Sequence, residues 1–178
     1  ALFMGGKDGA YDRNKIAASW KDALAGLQKA DPGGYDHEVT IFPEMGHWMQ
    51  REDRVALPWM ASRSRRAWPD RVVWLQDDVA HDRFYWLGAE EADRAPRARV
   101  EASVQGQRID ITSADVARLT LFLHDRLIDL DSAITVRWNG EEVFNGEVQR
   151  TREAIEASLD GRPDPALGAT ALLVVDRP

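Results

Sequence analysis

Gly5-Gly6-Lys7-Asp8 and, further along, Pro43-Glu44-Met45-Gly46-His47-Trp48-Met49 are the stretches on which the fold of this chain turns. Each follows a short apolar run that reads as a strand, Ala1-Leu2-Phe3-Met4 before Asp8 and Val39-Thr40-Ile41-Phe42 before His47. Between the runs, Ile16, Trp20, Ala23, Leu24 and Leu27 recur at spacings of three and four, the apolar stripe of an amphipathic helix. Asp12 and Asn14 offer oxygens to cap that helix, and Asp31-Pro32-Gly33-Gly34 stops it. Strand, helix and strand of this length make a βαβ unit, whose strands pair in parallel. A weaker helix is expected over Glu52–Ser62, interrupted by Pro58. Two parallel strands do not make a stable sheet by themselves. Residues 1–66 therefore read as the trailing strand-helix-strand-helix part of a larger doubly wound α/β sheet. An upstream segment or another chain is expected to cover the sheet edge.

From Arg71 onward the pattern changes to short alternating runs. Val72–Leu75, Arg83–Leu87, Ala98–Val104, Arg108–Thr112, Arg118–His124, Ile134–Trp138, Glu142–Val148 and Ala171–Val175 are strand candidates. Gln105-Gly106 and Asn139-Gly140 are turn signals, the second a strong two-residue hairpin. Its register predicts Trp138 opposite Glu141, Val136 opposite Val143 and Ile134 opposite Asn145. Thr151–Leu159 reads as a short helix capped by Thr151, with Ile155 and Leu159 turned inward. Residues 67–178 are thus expected to form a small β-sandwich domain. The expected fold class is α/β followed by all-β.

Composition narrows the function. Of 178 residues 44% are hydrophobic and 30% charged, an ordinary globular balance. Residues 1–69 carry ten Lys and Arg against nine Asp and Glu; residues 70–178 carry thirteen against twenty-one. That change of character supports two modules. The net charge of −7 argues against nucleic acid as a general partner. The one basic cluster, Arg63-Ser64-Arg65-Arg66, reads as a solvated linker face. There is no cysteine, which excludes disulfides, thiolate metal sites and cysteine nucleophiles. No apolar run approaches the roughly 20 residues of a membrane span.

Asp8 and His47 carry the chemistry as a pair. A carboxylate fixed at the end of one strand can accept the Nδ1–H of an imidazole placed at the end of the next. It then fixes the tautomer and stabilises the imidazolium formed when the ring takes a proton. Gly5 and Gly6 permit the tight exit that Asp8 needs, and Gly46 keeps the approach to His47 open. Trp48 and Met49 could wall the site, which makes Trp48 a candidate substrate-binding residue.

These residues carry a resemblance to a known family. Gly5-Gly6-Lys7-Asp8, Tyr11-Asp12-Arg13-Asn14 and Phe42–Met49 resemble the C-terminal third of an α/β-hydrolase, most of all serine hydrolases of the phospholipase/carboxylesterase and dienelactone-hydrolase kind. The resemblance covers residues 1–66; the β module is similar to appended C-terminal domains of some bacterial relatives. It implies Asp8 as triad acid and His47 as triad base. In that family the nucleophile elbow lies upstream, and no Gly-x-Ser-x-Gly occurs here. None of Ser19, Ser62, Ser64, Ser103, Ser113, Ser132 or Ser158 sits in an elbow, so no nucleophile is assigned. Ala1-Leu2-Phe3-Met4 reads as mid-strand, and the chain is expected to be the C-terminal portion of a larger enzyme.

Other residues offer less. His37, His81 and His124 lack metal-ligand spacing, and Asp125, Asp129 and Asp131 lack the glycine and final glutamate of a calcium loop. No metal and no cofactor is expected. Glu44 faces Arg51, Arg54 or solvent. Trp20, Trp74, Trp86 and Trp138 read as core. The complete enzyme would cleave a small-molecule ester, or secondarily a peptide, through an acyl-enzyme, and this chain by itself is expected to be inactive. The rival expectation is a non-catalytic β-sandwich that binds a partner, with residues 1–66 a degenerate appendage.

Overall fold

A computed structural model of the chain describes residues 1–160 and 162–178, and divides into two compact units, Ala1–Arg65 and Arg66–Pro178. In the first unit the strands β1 (Leu2–Gly5) and β2 (Val39–Phe42) pair in parallel, Leu2 beside Val39 through Gly5 beside Phe42. Helix α1 (Arg13–Ala30) joins them and packs on both. A 3-10 segment, Met49–Val55, leads into the short helix α2 (Ala56–Ala61), with Pro58 inside it.

The expected fold class is overturned at this point. No doubly wound α/β-hydrolase sheet is formed among the described residues: β1 and β2 pair only with each other. The one long helix packs on that pair, so the layers of helix on both faces of a parallel sheet are missing. Most strand residues lie elsewhere, and the described residues are mostly β, in several sheets with three α-helices among them.

Helix α1 also turns differently from its sequence stripe. Ala17 is its one buried residue, while Ile16, Trp20 and Leu27 are exposed. Trp20 is therefore not core: no described element lies over that stripe to bury it. Asp12 precedes the helix in the left-handed conformation and makes no side-chain cap bond. The Asn14 side chain instead donates to the Gly6 carbonyl at 2.8 Å, tying the helix start to the end of β1.

Among the described residues the second unit has nine strands, β3 (Arg71–Leu75), β4 (Arg83–Phe84), β5 (Leu87–Gly88), β6 (Arg99–Gln105), β7 (Arg108–Thr112), β8 (Arg118–Leu123), β9 (Ile134–Trp138), β10 (Glu141–Gly146) and β11 (Ala171–Asp176). One sheet runs β10-β9-β7-β6-β3, antiparallel except for the parallel pair β7–β9; the other runs β11-β8-β5-β4. Alternation places Val72 and Trp74, Val100 and Ala102, Ile109 and Ile111, and Ile134, Val136 and Trp138 on the inner face of the first sheet. Leu87, Leu119, Leu121, Leu123, Ala171 and Val175 answer from the second. Burying each large side chain contributes roughly 1.5–3 kcal/mol, and this shared core holds the unit. Trp86 and Trp138 are fully buried, and their indole N–H groups donate to the Pro69 and Ser113 carbonyls at 2.8 and 3.1 Å.

Three local expectations need correction. Arg83–Leu87 is not one strand but the hairpin β4–β5, with Tyr85 in the left-handed region (φ 52°) between them. At Asn139-Gly140 the turn forms and Trp138 faces Glu141, but a bulge at Val143 shifts the rest of β10 by one residue. Val136 therefore faces Phe144, and Ile134 faces Gly146. Helix α3 (Arg152–Leu159) is capped by Thr151, whose hydroxyl accepts from the Ala154 N–H at 3.0 Å, but it buries Ala154 and Ser158 and leaves Ile155 exposed.

Candidate active site

The loops after β1 and β2 are laced together by their backbones. The Gly6 N–H donates to the Phe42 carbonyl at 2.7 Å, and the Lys7 N–H to that of Met45 at 2.9 Å. Asp8 N–H returns to Gly5 at 3.0 Å, and Asn14 N–H donates to the Asp8 carbonyl at 3.2 Å. Neither glycine has room for a side chain. A Cβ on Gly6 would lie 2.7 Å from the backbone of Pro43, and one on Gly5 would collide with the carbonyl of Gly46.

This lacing brings Asp8 and His47 together. His47 Nδ1 lies 2.7 Å from Asp8 Oδ2. Asp8 is buried, with 6% of its surface exposed, whereas the His47 side chain is 53% exposed. The hydrogen bond to His47, above all, holds the Asp8 carboxyl below its ordinary value. Arg13 and the Ala10 N–H act in the same sense, against the opposing effect of burial. An ionised carboxylate can only accept, so Nδ1 carries the proton, and in the neutral ring Nε2 is then the acceptor. Nε2 has no hydrogen-bond partner among the described residues. The ring is therefore held at one nitrogen and available at the other.

Arg13 completes the group. Its Nη1 lies 3.6 Å from Asp8 Oδ1 and 3.4 Å from His47 Nδ1. With Nδ1 already protonated, the attraction to Asp8 is the one that counts. Arg13 also stacks over Tyr11 at 5.2 Å. Sequence reasoning gave Arg13 no role, although it stands within Tyr11-Asp12-Arg13-Asn14, at the one place where the helix start faces Asp8.

Trp48 meets the His47 ring edge-on, with centroids 5.0 Å apart, and is 84% exposed. Phe3, Met4, Trp48, Met49 and Asp53 line a depression of about 220 Å³ beside His47. No serine lines it. In this unit the Ser19 hydroxyl donates to the Ile16 carbonyl within α1, and that of Ser62, just past α2, to the Trp59 carbonyl.

No family model matches this chain, no curated protein matches it, and no solved structure matches it. The chemistry of the site therefore rests on its own geometry.

The remaining candidates are accounted for locally. Glu44 pairs with Lys7 at 2.6 Å, not with Arg51 or Arg54. Among the described residues no three His, Cys, Asp or Glu side chains gather as metal ligands. Asp125 and Asp131 instead share Arg150, and Asp129 accepts from Ser132 at 2.8 Å. His124 stacks on Trp68 at 5.2 Å and accepts from the Arg126 N–H at 3.0 Å; burial lowers its pKa. Within the basic cluster, Arg63 pairs with Asp36 and lies over Trp59, and Arg66 pairs with Asp70. No helix among the described residues is long and apolar enough to cross a membrane.

Proposed function

We propose that Asp8 and His47 are the acid and base of a serine-hydrolase triad, and that the nucleophilic hydroxyl comes from polypeptide outside these 178 residues. The observation that carries this is the imidazole anchored through Nδ1 to a buried carboxylate with Nε2 left open. The likeness of Gly5–Asp8 and Phe42–Met49 to serine hydrolases of the carboxylesterase kind supports the same reading. In the assembled enzyme Nε2 takes the proton of the attacking hydroxyl, Asp8 stabilises the imidazolium, and His47 returns the proton to the leaving alcohol. The acyl group passes to the hydroxyl and then to water, so the net reaction is ester hydrolysis. Trp48 and the methionines of the depression offer an apolar wall to the substrate. With no Gly-x-Ser-x-Gly elbow in their sequence, the 178 residues alone are expected to turn over no ester.

A fluorophosphonate probe applied to the protein isolated from the cells that make it tests this reading. Labelling is expected, and His47→Ala should slow it by about a thousand-fold or more. Labelling that ignores this substitution would remove His47 as the base.

A further inference from the structure

The exposed edge of β3 is unlike the other strand edges of the second unit. β4 is two residues long; β10 carries a bulge and two glutamates; β11 lies against α3 and β10. These are the usual ways of keeping an edge from pairing. β3 has one edge charge, Arg71, but is otherwise open: Arg71–Leu75 is regular, free of proline, glycine and lysine, and pairs on one side only, with β6.

Its hydrogen-bond phase is fixed. Gln76 N–H donates to Ala98, and Val104 N–H to Asp70, so the even positions of β3 turn their backbone groups toward β6. The N–H and C=O groups of Arg71, Val73 and Leu75 therefore face outward, and none has a partner among the described residues. The same three residues carry the exposed side chains, with Val73 38% and Leu75 61% accessible. Beside this edge a cleft of about 470 Å³ opens over Trp74 and Phe84, which stack at 6.2 Å.

We propose that β3 pairs with β3 of a second copy of this chain, antiparallel about a two-fold axis at Val73. The strand is self-complementary in that register. Val73 faces the partner's Val73, and each Leu75 lies beside the stem of the partner's Arg71. The three outward residues of each strand exchange hydrogen bonds in pairs. Arg71 is the one charged side chain in the seam and is held by its own Glu101 at 3.1 Å, so no like charges meet. The result is one continuous sheet across both copies, which covers the open flank of the Trp74–Phe84 stack. The pairing is independent of the chemistry proposed for His47.

The test uses the absence of native cysteine. Opposed residues of a hydrogen-bonded antiparallel pair have Cα atoms about 5.5 Å apart, inside the range a disulfide spans. Positions 75 of the two copies would lie about 13 Å apart along the strands, outside it. In the full 178-residue chain, Val73→Cys should therefore cross-link to a covalent dimer on mild oxidation, while Leu75→Cys alone should not. A mixture of Arg71→Cys and Leu75→Cys should cross-link between the two variants. Sedimentation equilibrium should show a dimer growing with concentration, weakened about ten-fold or more by Val73→Lys, which opposes two like charges at the axis. Equal cross-linking from positions 73 and 75, or a monomer at every concentration with no Val73→Cys dimer, overturns the proposal.

Discussion

Gly5 closes β1 directly against the backbone of Gly46, so tightly that a methyl group on Gly5 would occupy the space of the Gly46 carbonyl oxygen. Gly46 immediately precedes His47, and Gly5 stands three residues before Asp8. The approach of these two backbones sets the separation of carboxylate and imidazole, and the 2.7 Å bond between the side chains results from it.

Gly5→Ala is accordingly expected to destabilise the first unit by about 1–3 kcal/mol, because the obstruction is backbone and cannot swing aside. It should also loosen the His47–Asp8 bond, seen as loss of the low-field imidazole N–H resonance. Gly9→Ala is the control, since a Cβ there meets nothing within 4 Å. Equal effects from the two substitutions would show that the close approach at Gly5 does not set the site.

The Asp8 carboxyl lies below its ordinary value of 3.8, chiefly through the His47 bond. Its folded pKa is thus below its unfolded one. The associated stability is complete above the unfolded value and drains away as pH falls through the folded value. Asp8→Asn should cost stability at neutral pH, and the gap to the parent chain should narrow below about pH 4. Asp125, Asp129 and Asp176 are lowered too, held mainly by Arg150, the Asp131 N–H and Arg118. The informative quantity is therefore the difference between the two proteins in urea melts across pH. A gap unchanged down to pH 2 would sink the assignment.

Legibility in the residues depended on physical range. Strand periodicity and Thr151 capping are local, and β7 and β9 fall at the residues their alternation predicts. The nearness of Asp8 and His47 was legible because a parallel βαβ unit sets the ends of its strands side by side. What α1 buries was not legible. A stripe says which residues want cover, not whether a partner element is present, so Ile16 and Trp20 remain exposed. The same limit misled the fold class, because a βαβ pattern does not fix the size of the sheet around it. The Val143 bulge was missed because one unpaired residue leaves little trace in a run where Val143 and Phe144, adjacent in sequence, both pack against the core.

Arg83 is a buried guanidinium with no carboxylate bound to it among the described residues. It donates to the carbonyls of Ser158, at the end of α3, and of Leu167, and lies 3.7 Å from the Phe122 ring centroid. Burial, with Arg162 nearby, pushes its pKa down to about 10, so it stays charged at neutral pH. Arg83→Met should cost about 2–4 kcal/mol by stranding those carbonyls. Arg83→Lys should not rescue it, since an ammonium cannot both stack on Phe122 and span two carbonyls as a planar fork does. Denaturant midpoints read the loss, and amide exchange at the C-terminal turn of α3 localises it. A neutral Arg83→Met would mean that the guanidinium is a passenger there.

Asn139 ties the β9–β10 turn to the end of β7. It occupies the left-handed region at φ 51°, where Asn and Gly are tolerated. Its Oδ1 accepts from the Ser113 N–H at 3.1 Å, and its Nδ2 donates to the Ser113 carbonyl at 3.0 Å, an oxygen shared with the Trp138 indole. Backbone and side-chain contributions can therefore be separated. Asn139→Gly keeps the conformation and loses both bonds, at an expected cost of about 1–3 kcal/mol. Asn139→Asp keeps the acceptor but sets a carboxylate oxygen in place of Nδ2, against the Ser113 carbonyl oxygen, so it should cost more than Asn139→Gly. Asn139→Ala loses both bonds and adds left-handed strain, and should also cost more than Asn139→Gly. A urea midpoint for Asn139→Gly above those of Asn139→Asp and Asn139→Ala, and below that of the parent chain, is the expected outcome. If Asn139→Gly matches the parent chain, the Ser113 bonds carry no weight and the turn conformation alone holds the hairpin.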